Sequence, residues 1–211
     1  MIQDPIDATP IPISKVASRP HGRQKRKRII DAAAALLIEK GYDGLIIREV
    51  AARAQTRLGN VHYYFPTKQL LLLAIFDQES NAYAQMLQDA VSAAGTRKKK
   101  IVAIVDASLL ELGKPKQKLW RTLVGIAQHD PDALQILRRE NELFHKAVAA
   151  ELRKIEPRLT GQKAKRIARI IWAMLDGYAI QITHTLDTTK EINALKKEAR
   201  AALIAMLTGF R

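Results

Sequence analysis

The stretch G-L-I-I-R-E-V-A-A-R-A-Q-T-R-L-G-N-V-H-Y-Y-F-P-T-K, residues 44–68, decides how this chain is read. Ile47, Val50, Ala51 and Ala54 recur at the spacing of one helix face, and the pattern stops at the polar pair Gln55–Thr56. A second short helix follows, packed by Leu58 and Val61 and closed by the aromatic cluster Tyr63–Tyr64–Phe65. Two short helices joined by a tight turn make a helix-turn-helix. The second helix is expected to expose Arg57, Asn60, His62 and Tyr63, side chains that reach phosphates and base edges. The stretch implies binding to duplex DNA.

Upstream, Ile29, Ile30, Ala33, Leu36 and Leu37 form an apolar stripe that predicts a helix over about 24–40, stopped by a left-handed Gly41. Residues 1–22 hold Pro5, Pro10, Pro12, Pro20 and Gly22 without periodicity and read as a flexible basic arm. The arm runs into Arg23-Gln-Lys-Arg-Lys-Arg28, which is either a solvated helix start or a segment that touches DNA phosphates or the minor groove. Downstream, Thr67 can cap a long helix reaching about residue 93. Further helices are predicted over about 97–112, 115–129, 131–156, 161–185 and 188–208. Asp130-Pro131 is a start signal with Asp as cap and Pro in the first turn, and Thr188-Thr-Lys-Glu191 is a capping box. No stretch alternates as a strand would. The expected fold is all-α, with about nine helices: a three-helix head over 23–68 and a larger helical body over 69–211.

Composition bounds the partners. The chain has 211 residues, 47% of them apolar, enough for a substantial core. Its net charge of +14 fits a polyanionic partner, but residues 1–68 hold only +6 of it, so the local motif carries the case for DNA. The absence of cysteine excludes disulfides, thiolate metal sites and cysteine nucleophiles. There is no membrane-length apolar run and no signal pattern, so the expected compartment is the cytoplasm. Neither a phosphate-cradling Gly loop, a His-Glu-x-x-His nor a zinc spacing is present. No enzyme, metal or cofactor is expected.

Residues 24–68 resemble the DNA-binding head of TetR-type (tetracycline-repressor-like) transcriptional regulators. The resemblance rests on Ile30, Ala33, Ala34, Leu37, Gly41 and Tyr42, on Ile47, Val50, Ala51 and Ala54, and on Gly59, Val61, Tyr64, Phe65 and Lys68. The chain departs from that pattern in three places. Leu45-Ile46 stands where the family has a capping, phosphate-touching Thr or Ser; Gln55-Thr56-Arg57 replaces Gly-Val-Ser; and His62 replaces a tyrosine. Physics and resemblance together assign DNA contacts to Arg48, Thr56, Arg57, Leu58, Asn60 and His62. Gly59 would permit close backbone approach. Tyr63, Tyr64 and Lys68 resemble the family's phosphate clamps, with simple core packing the other reading for Tyr64 and Phe65.

The resemblance implies that the body binds a small-molecule effector and forms a homodimer. Residues 119–129 and 175–184 are similar to the choline-sensing BetI branch. Trp120, His129, Phe144, Trp172, Asp176 and Tyr178 are the candidate pocket residues, although Trp120, Trp172 and Met174 also fit an ordinary core. Asp176 either caps a helix, pairs with Arg169 or Arg121, or meets ligand, and His145 is expected at the surface. The basic body points to an anionic effector or to no charge preference. The last two helices carry long apolar faces (Ile167, Ile170, Ile171, Met174, Leu175; Leu195, Ala199, Ala202, Leu203, Met206); core packing within one subunit would use one side of each, and a four-helix dimer interface the other. The function implied is a ligand-responsive regulator, a repressor released from a palindromic operator. The alternative is a constitutive or architectural DNA-binding protein with no effector.

Overall fold

The computed structural model describes residues 20–110, 117–185 and 188–209. Among these residues there are nine α-helices and no strand: α1 (Pro20–Lys40), α2 (Ile47–Arg53), α3 (Leu58–Tyr64), α4 (Lys68–Ala93), α5 (Arg97–Leu109), α6 (Gln117–Ala127), α7 (Pro131–Ile155), α8 (Gly161–Thr185) and α9 (Thr189–Gly209).

The polar residues that mark helix starts do so physically. The Thr67 hydroxyl accepts from Leu70 N–H, Thr96 from Lys99, Thr160 from Lys163, and Asp130 from both Asp132 and Ala133. At α9 the capping box closes reciprocally: Thr188 Oγ1 accepts from Glu191 N–H while the Glu191 carboxylate accepts from Thr188 N–H. Gly41 ends α1 at φ +69°, with its N–H on the Leu37 carbonyl. Gly44 then lets the chain fold back over Lys40, where a Cβ would lie 2.2 Å from Lys40 Cβ.

The boundaries differ from expectation at three points. α1 begins at Pro20, inside the stretch expected to be arm, because proline is well suited to the first helical turn; residues 1–19 of that arm lie outside the described residues. α5 is described to Leu109, and its expected end near 112 lies outside them. Gly209 is the last residue of α9 and not the stop after it.

Two apolar cores organise the chain. The first joins α1, α2, α3 and the front of α4 (Ile29, Leu37, Val50, Val61, Phe65, Leu72, Phe76) to α6 and the start of α7. The second joins the rear of α4 to α5, α7, α8 and α9. Helix α4 runs through both and links head to body. Asp106 on α5 pairs with Arg200 on α9 at 2.5 Å, at the surface of the second core.

Candidate DNA-binding head and body cavity

The head is built around a turn held without glycine. Gln55 takes φ +49°, the left-handed conformation that an L-residue enters at a cost of about 1–2 kcal/mol. Two backbone bonds retain it there, Gln55 N–H to the Ala52 carbonyl and Thr56 N–H to the Ala51 carbonyl. Exposed ion pairs then tie α2 to α1: Lys40 to Glu49 at 2.5 Å, and the Arg53 guanidinium to both Glu39 oxygens at 2.6 and 2.7 Å. The Arg53 hydrogen bond holds the Glu39 carboxyl below its ordinary range.

The departure at residues 45–46 has a local consequence. Leu45 is buried, but Ile46 occupies the N-cap of α2 with an extended backbone, no side-chain cap and 48% exposure. Ile46→Thr supplies the missing acceptor and is expected to stabilise the chain by about 1 kcal/mol. Thermal unfolding should record this as a rise of about 2–4 °C.

The candidate contact residues fall into two groups. Arg48, Arg57, Leu58, Gly59, His62 and Tyr63 are exposed together on α2, the turn and α3. Leu58 was expected to pack this helix; at 36% exposure it stands on the outer face, and Val61 alone is the buried residue of α3. A Cβ at Gly59 would meet nothing within 4 Å, so no packing inside the chain requires a glycine there.

The second group is already engaged. The Asn60 amide donates to Thr56 Oγ1 at 2.9 Å, bracing the turn. Tyr64 is half-buried with its ring edge-to-face on Tyr63, and Phe65 is core, covered by the Arg26 guanidinium 5.2 Å from its centroid. Lys68 donates to the Tyr42 carbonyl at 2.7 Å and sits 3.7 Å above the Tyr42 ring. Burial there lowers its pKa from the usual lysine value. Lys68 therefore staples α4 to the loop after α1, with two ammonium donors left over.

Beneath the head, α4 to α8 enclose a cavity of about 550 Å³. Its apolar wall is a chain of rings from four helices. Tyr83 stacks on Phe144 (5.1 Å), Phe144 meets Trp172 (4.3 Å), and Trp172 meets Trp120 edge-on (5.9 Å); behind the wall, Trp120 meets the buried Phe76 (5.1 Å). Ser108 donates to the Ile104 carbonyl, so the Tyr83 hydroxyl is the donor to Ser108 at 3.0 Å. Burial drives the Tyr83 phenol far above its ordinary pKa. The charged side chains on the wall are Glu79, Arg121 and Asp176. Asp176 is open to the lumen and has no ion-pair partner among the described residues, and the surrounding protein pushes its carboxyl up to about 6.

Four of the six candidate pocket residues, Trp120, Phe144, Trp172 and Asp176, come together on this wall. His129 does not: it is exposed at the turn between α6 and α7. Tyr178 packs half-buried against the second core, away from the wall. His145 is buried and not at the surface, because α7 is covered on two sides and this residue turns toward α8. Desolvation, then the nearby Arg169 charge, lowers its pKa.

Sequence reasoning missed Ser80, Tyr83, Arg121 and Asn141 on the wall, and Glu140 behind it. A signal existed for Glu140: it interrupts the stripe Ala133, Ile136, Phe144, Val148, Leu152 with a charge.

Two family descriptions match this chain. Residues 29–75 match the family described as bacterial regulatory proteins, tetR family, and residues 97–205 match BetI-type transcriptional repressor, C-terminal. The HTH-type transcriptional regulator BetI of Brucella anthropi is 27% identical over 173 residues, covering 81% of this chain and 88% of that protein. A TetR-family regulator from Mesorhizobium loti superposes with a TM-score of 0.73 at 20% identity, over 88% of this chain and 96% of that one. A transcriptional regulator from Saccharomonospora viridis in complex with choline superposes with a TM-score of 0.68 at 19% identity, over 89% and 97%.

Proposed function

Because the chain belongs to the TetR family of DNA-binding transcriptional regulators and carries a BetI-type repressor body, we propose that it is a dimeric repressor released from a palindromic operator by an organic cation bound in the body cavity. The observation that carries this reading is the ring-lined cavity built directly onto α4, the helix that also packs into the head. Arg48, Arg57, Leu58, Asn60 and His62 face base edges, Gly59 lets the backbone approach, Thr56 braces the turn, and Tyr63, Tyr64 and Lys68 take phosphates. An effector acts only through its differential affinity for two poses of α4.

The basicity of the body as a whole points to an anion or to no charge preference. The cavity itself carries two carboxylates against one guanidinium, and its lining includes the aromatic residues Trp120 and Trp172, a composition suited to a cation. The choline bound by the Saccharomonospora viridis neighbour is of that chemical class. A volume near 550 Å³ equals roughly eighteen waters at about 30 Å³ each, which leaves room for a bulkier ammonium compound. A series of quaternary ammonium compounds of rising size, choline among them, should displace the protein from labelled operator duplex. If none does at millimolar concentration, the cation assignment is wrong.

Asp176 gives that binding a pH dependence. Its carboxyl titrates near 6, so the charge that attracts a cation is only about one-tenth developed at pH 5 and about nine-tenths developed at pH 7. Cation affinity should rise across this window and then level off, and Asp176→Asn should flatten the profile at the low-pH value. Because the folded pKa is raised, ionisation opposes folding. Stability of the free protein should fall as pH rises from about 4 to about 6 and level off above that, and the Asn variant should lack that loss. Isothermal titration and thermal unfolding at several pH values measure both effects.

The dimer would use one face of α8 and its companion on α9. Ile170 (45% exposed), Ala173, Gly177 and Ile180 (53%) form a stripe at helical spacing, and Ala194, Ala201, Ala202 and Ala205 are exposed on α9. Ile167, Ile171, Leu175, Ala199 and Leu203 face inward and belong to the second core. Two heads about 34–36 Å apart would then read successive major grooves. Ile170→Glu with Ile180→Glu should give monomers in sedimentation and lose operator binding.

A further inference from the structure

The turn of α4 at residues 76–80 is where cavity, body and head meet. Phe76 puts its ring 5.1 Å from that of Trp120, and Asp77 accepts from Arg139 on α7. Gln78 donates to Asp31 of α1 at 2.8 Å. Glu79 and Ser80 form part of the cavity wall. Behind that wall Glu140 is 0% exposed, accepting from Ser80 Oγ on one oxygen and from the Arg139 guanidinium on the other. One arginine thus holds both the buried carboxylate and Asp77, and one carboxylate holds both the arginine and the cavity-wall serine.

A charge in this position calls for a reason. Its helix-face neighbours Ile136, Phe144 and Val148 are apolar, and a buried ionic cluster is commonly no more stabilising than well-packed apolar residues of similar volume. What such a cluster does supply is two distinct states. While Ser80 donates, the Glu140 carboxylate has two donors, and Arg139 divides its hold between Glu140 and Asp77. When a ligand draws the Ser80 hydroxyl into the cavity, Glu140 keeps Arg139 as its remaining partner and competes with Asp77 for it. Asp77 adjoins Gln78, whose amide is fixed to α1 of the head. A change at Ser80 therefore reaches α1 through side chains on two turns of helix, with no need for the core to deform.

We propose that Glu140 is a positioning residue that, through Ser80, Arg139, Asp77 and the Gln78–Asp31 bond, couples occupancy of the cavity to the pose of the DNA-binding head. This rests on the reading of the cavity as a regulatory site. Coupling is reciprocal, so DNA bound at the head must change the cavity, and typical couplings are about 5- to 150-fold in affinity. The chain has two tryptophans, Trp120 and Trp172, and both line the cavity. Their fluorescence, excited at the red edge to avoid DNA absorption, reports on the cavity alone.

The test is acrylamide quenching of the full-length protein, free and saturated with a duplex selected for binding from a random pool. The wild-type quenching constant should change about twofold on DNA binding. Glu140→Gln and Gln78→Ala should bind the duplex within about threefold of wild type and show less than a quarter of that change. Arg200→Ala, which removes an unrelated inter-helix ion pair, should respond as wild type does. Gln78 is only half-buried and belongs to neither core, so its variant reports even if the Glu140 substitution fails to fold. Wild-type responses in both variants would overturn the coupling role while leaving the regulatory reading intact. A wild type that binds the duplex with no change in quenching would overturn both.

Discussion

Phe76→Ala should destabilise the chain by about 3–5 kcal/mol, measured by chemical denaturation. Phe76 is fully buried, belongs to the core of the head, and contacts Trp120 at the edge of the cavity. Its removal takes away a ring with contacts on both sides and leaves a void between helices of different connectivity, which collapse cannot easily fill. Domains of this kind have a total stability of about 5–15 kcal/mol, so the loss is a large part of the whole. The tryptophan emission should move to the red in the folded variant, because Trp120 gains solvent where Phe76 stood. A loss below about 1 kcal/mol would mean that α4 is not packed as a bridge between head and body.

The second large effect is expected at the DNA surface. Arg57 and His62 are exposed on the turn and on α3, with no side-chain partner among the described residues. A good side-chain contact to a base edge discriminates by about 1–3 kcal/mol, so Arg57→Ala with His62→Ala should lower specific affinity about 30- to 10⁴-fold. Affinity for random duplex should fall only a few-fold, through the loss of one positive charge. Stability should be unchanged, since neither side chain contributes to a core. Equal losses on specific and random duplex would assign both residues to the phosphate backbone and leave base reading to other positions.

What could be read in the sequence was what short-range physics fixes. Thr67, Thr96, Asp130, Thr160 and Thr188 each begin a helix because a side-chain oxygen within a few residues of free N–H groups needs no tertiary context to act. Gly41 stops α1 for an equally local reason. The helix-turn-helix was visible because its apolar positions recur within one turn of each other, even though Gln55 holds the turn at a positive φ where glycine would be expected.

What could not be read depends on contacts far apart in sequence. Lys68 looks free for phosphate until the loop carrying Tyr42 is brought over it, 26 residues away. His145 looks like a surface residue in a charged segment, and is buried because α7 is enclosed by α8 as well as α4. His129 and Tyr178 have the right chemistry for a pocket, but their helical phase and position turn them away from the cavity. Periodicity gives the face of a helix, while the shape of a cavity depends on the crossing of several helices, which no single stretch encodes.

The most direct test of the account is the ratio of affinities of the protein for a pool-selected duplex and for random duplex, at one physiological salt concentration. A regulator that reads sequence through α3 should give a ratio of about 10³ or more. Failure to enrich any duplex, with a ratio near one, would contradict the account and leave a charge-driven binder whose net charge of +14 acts without base recognition.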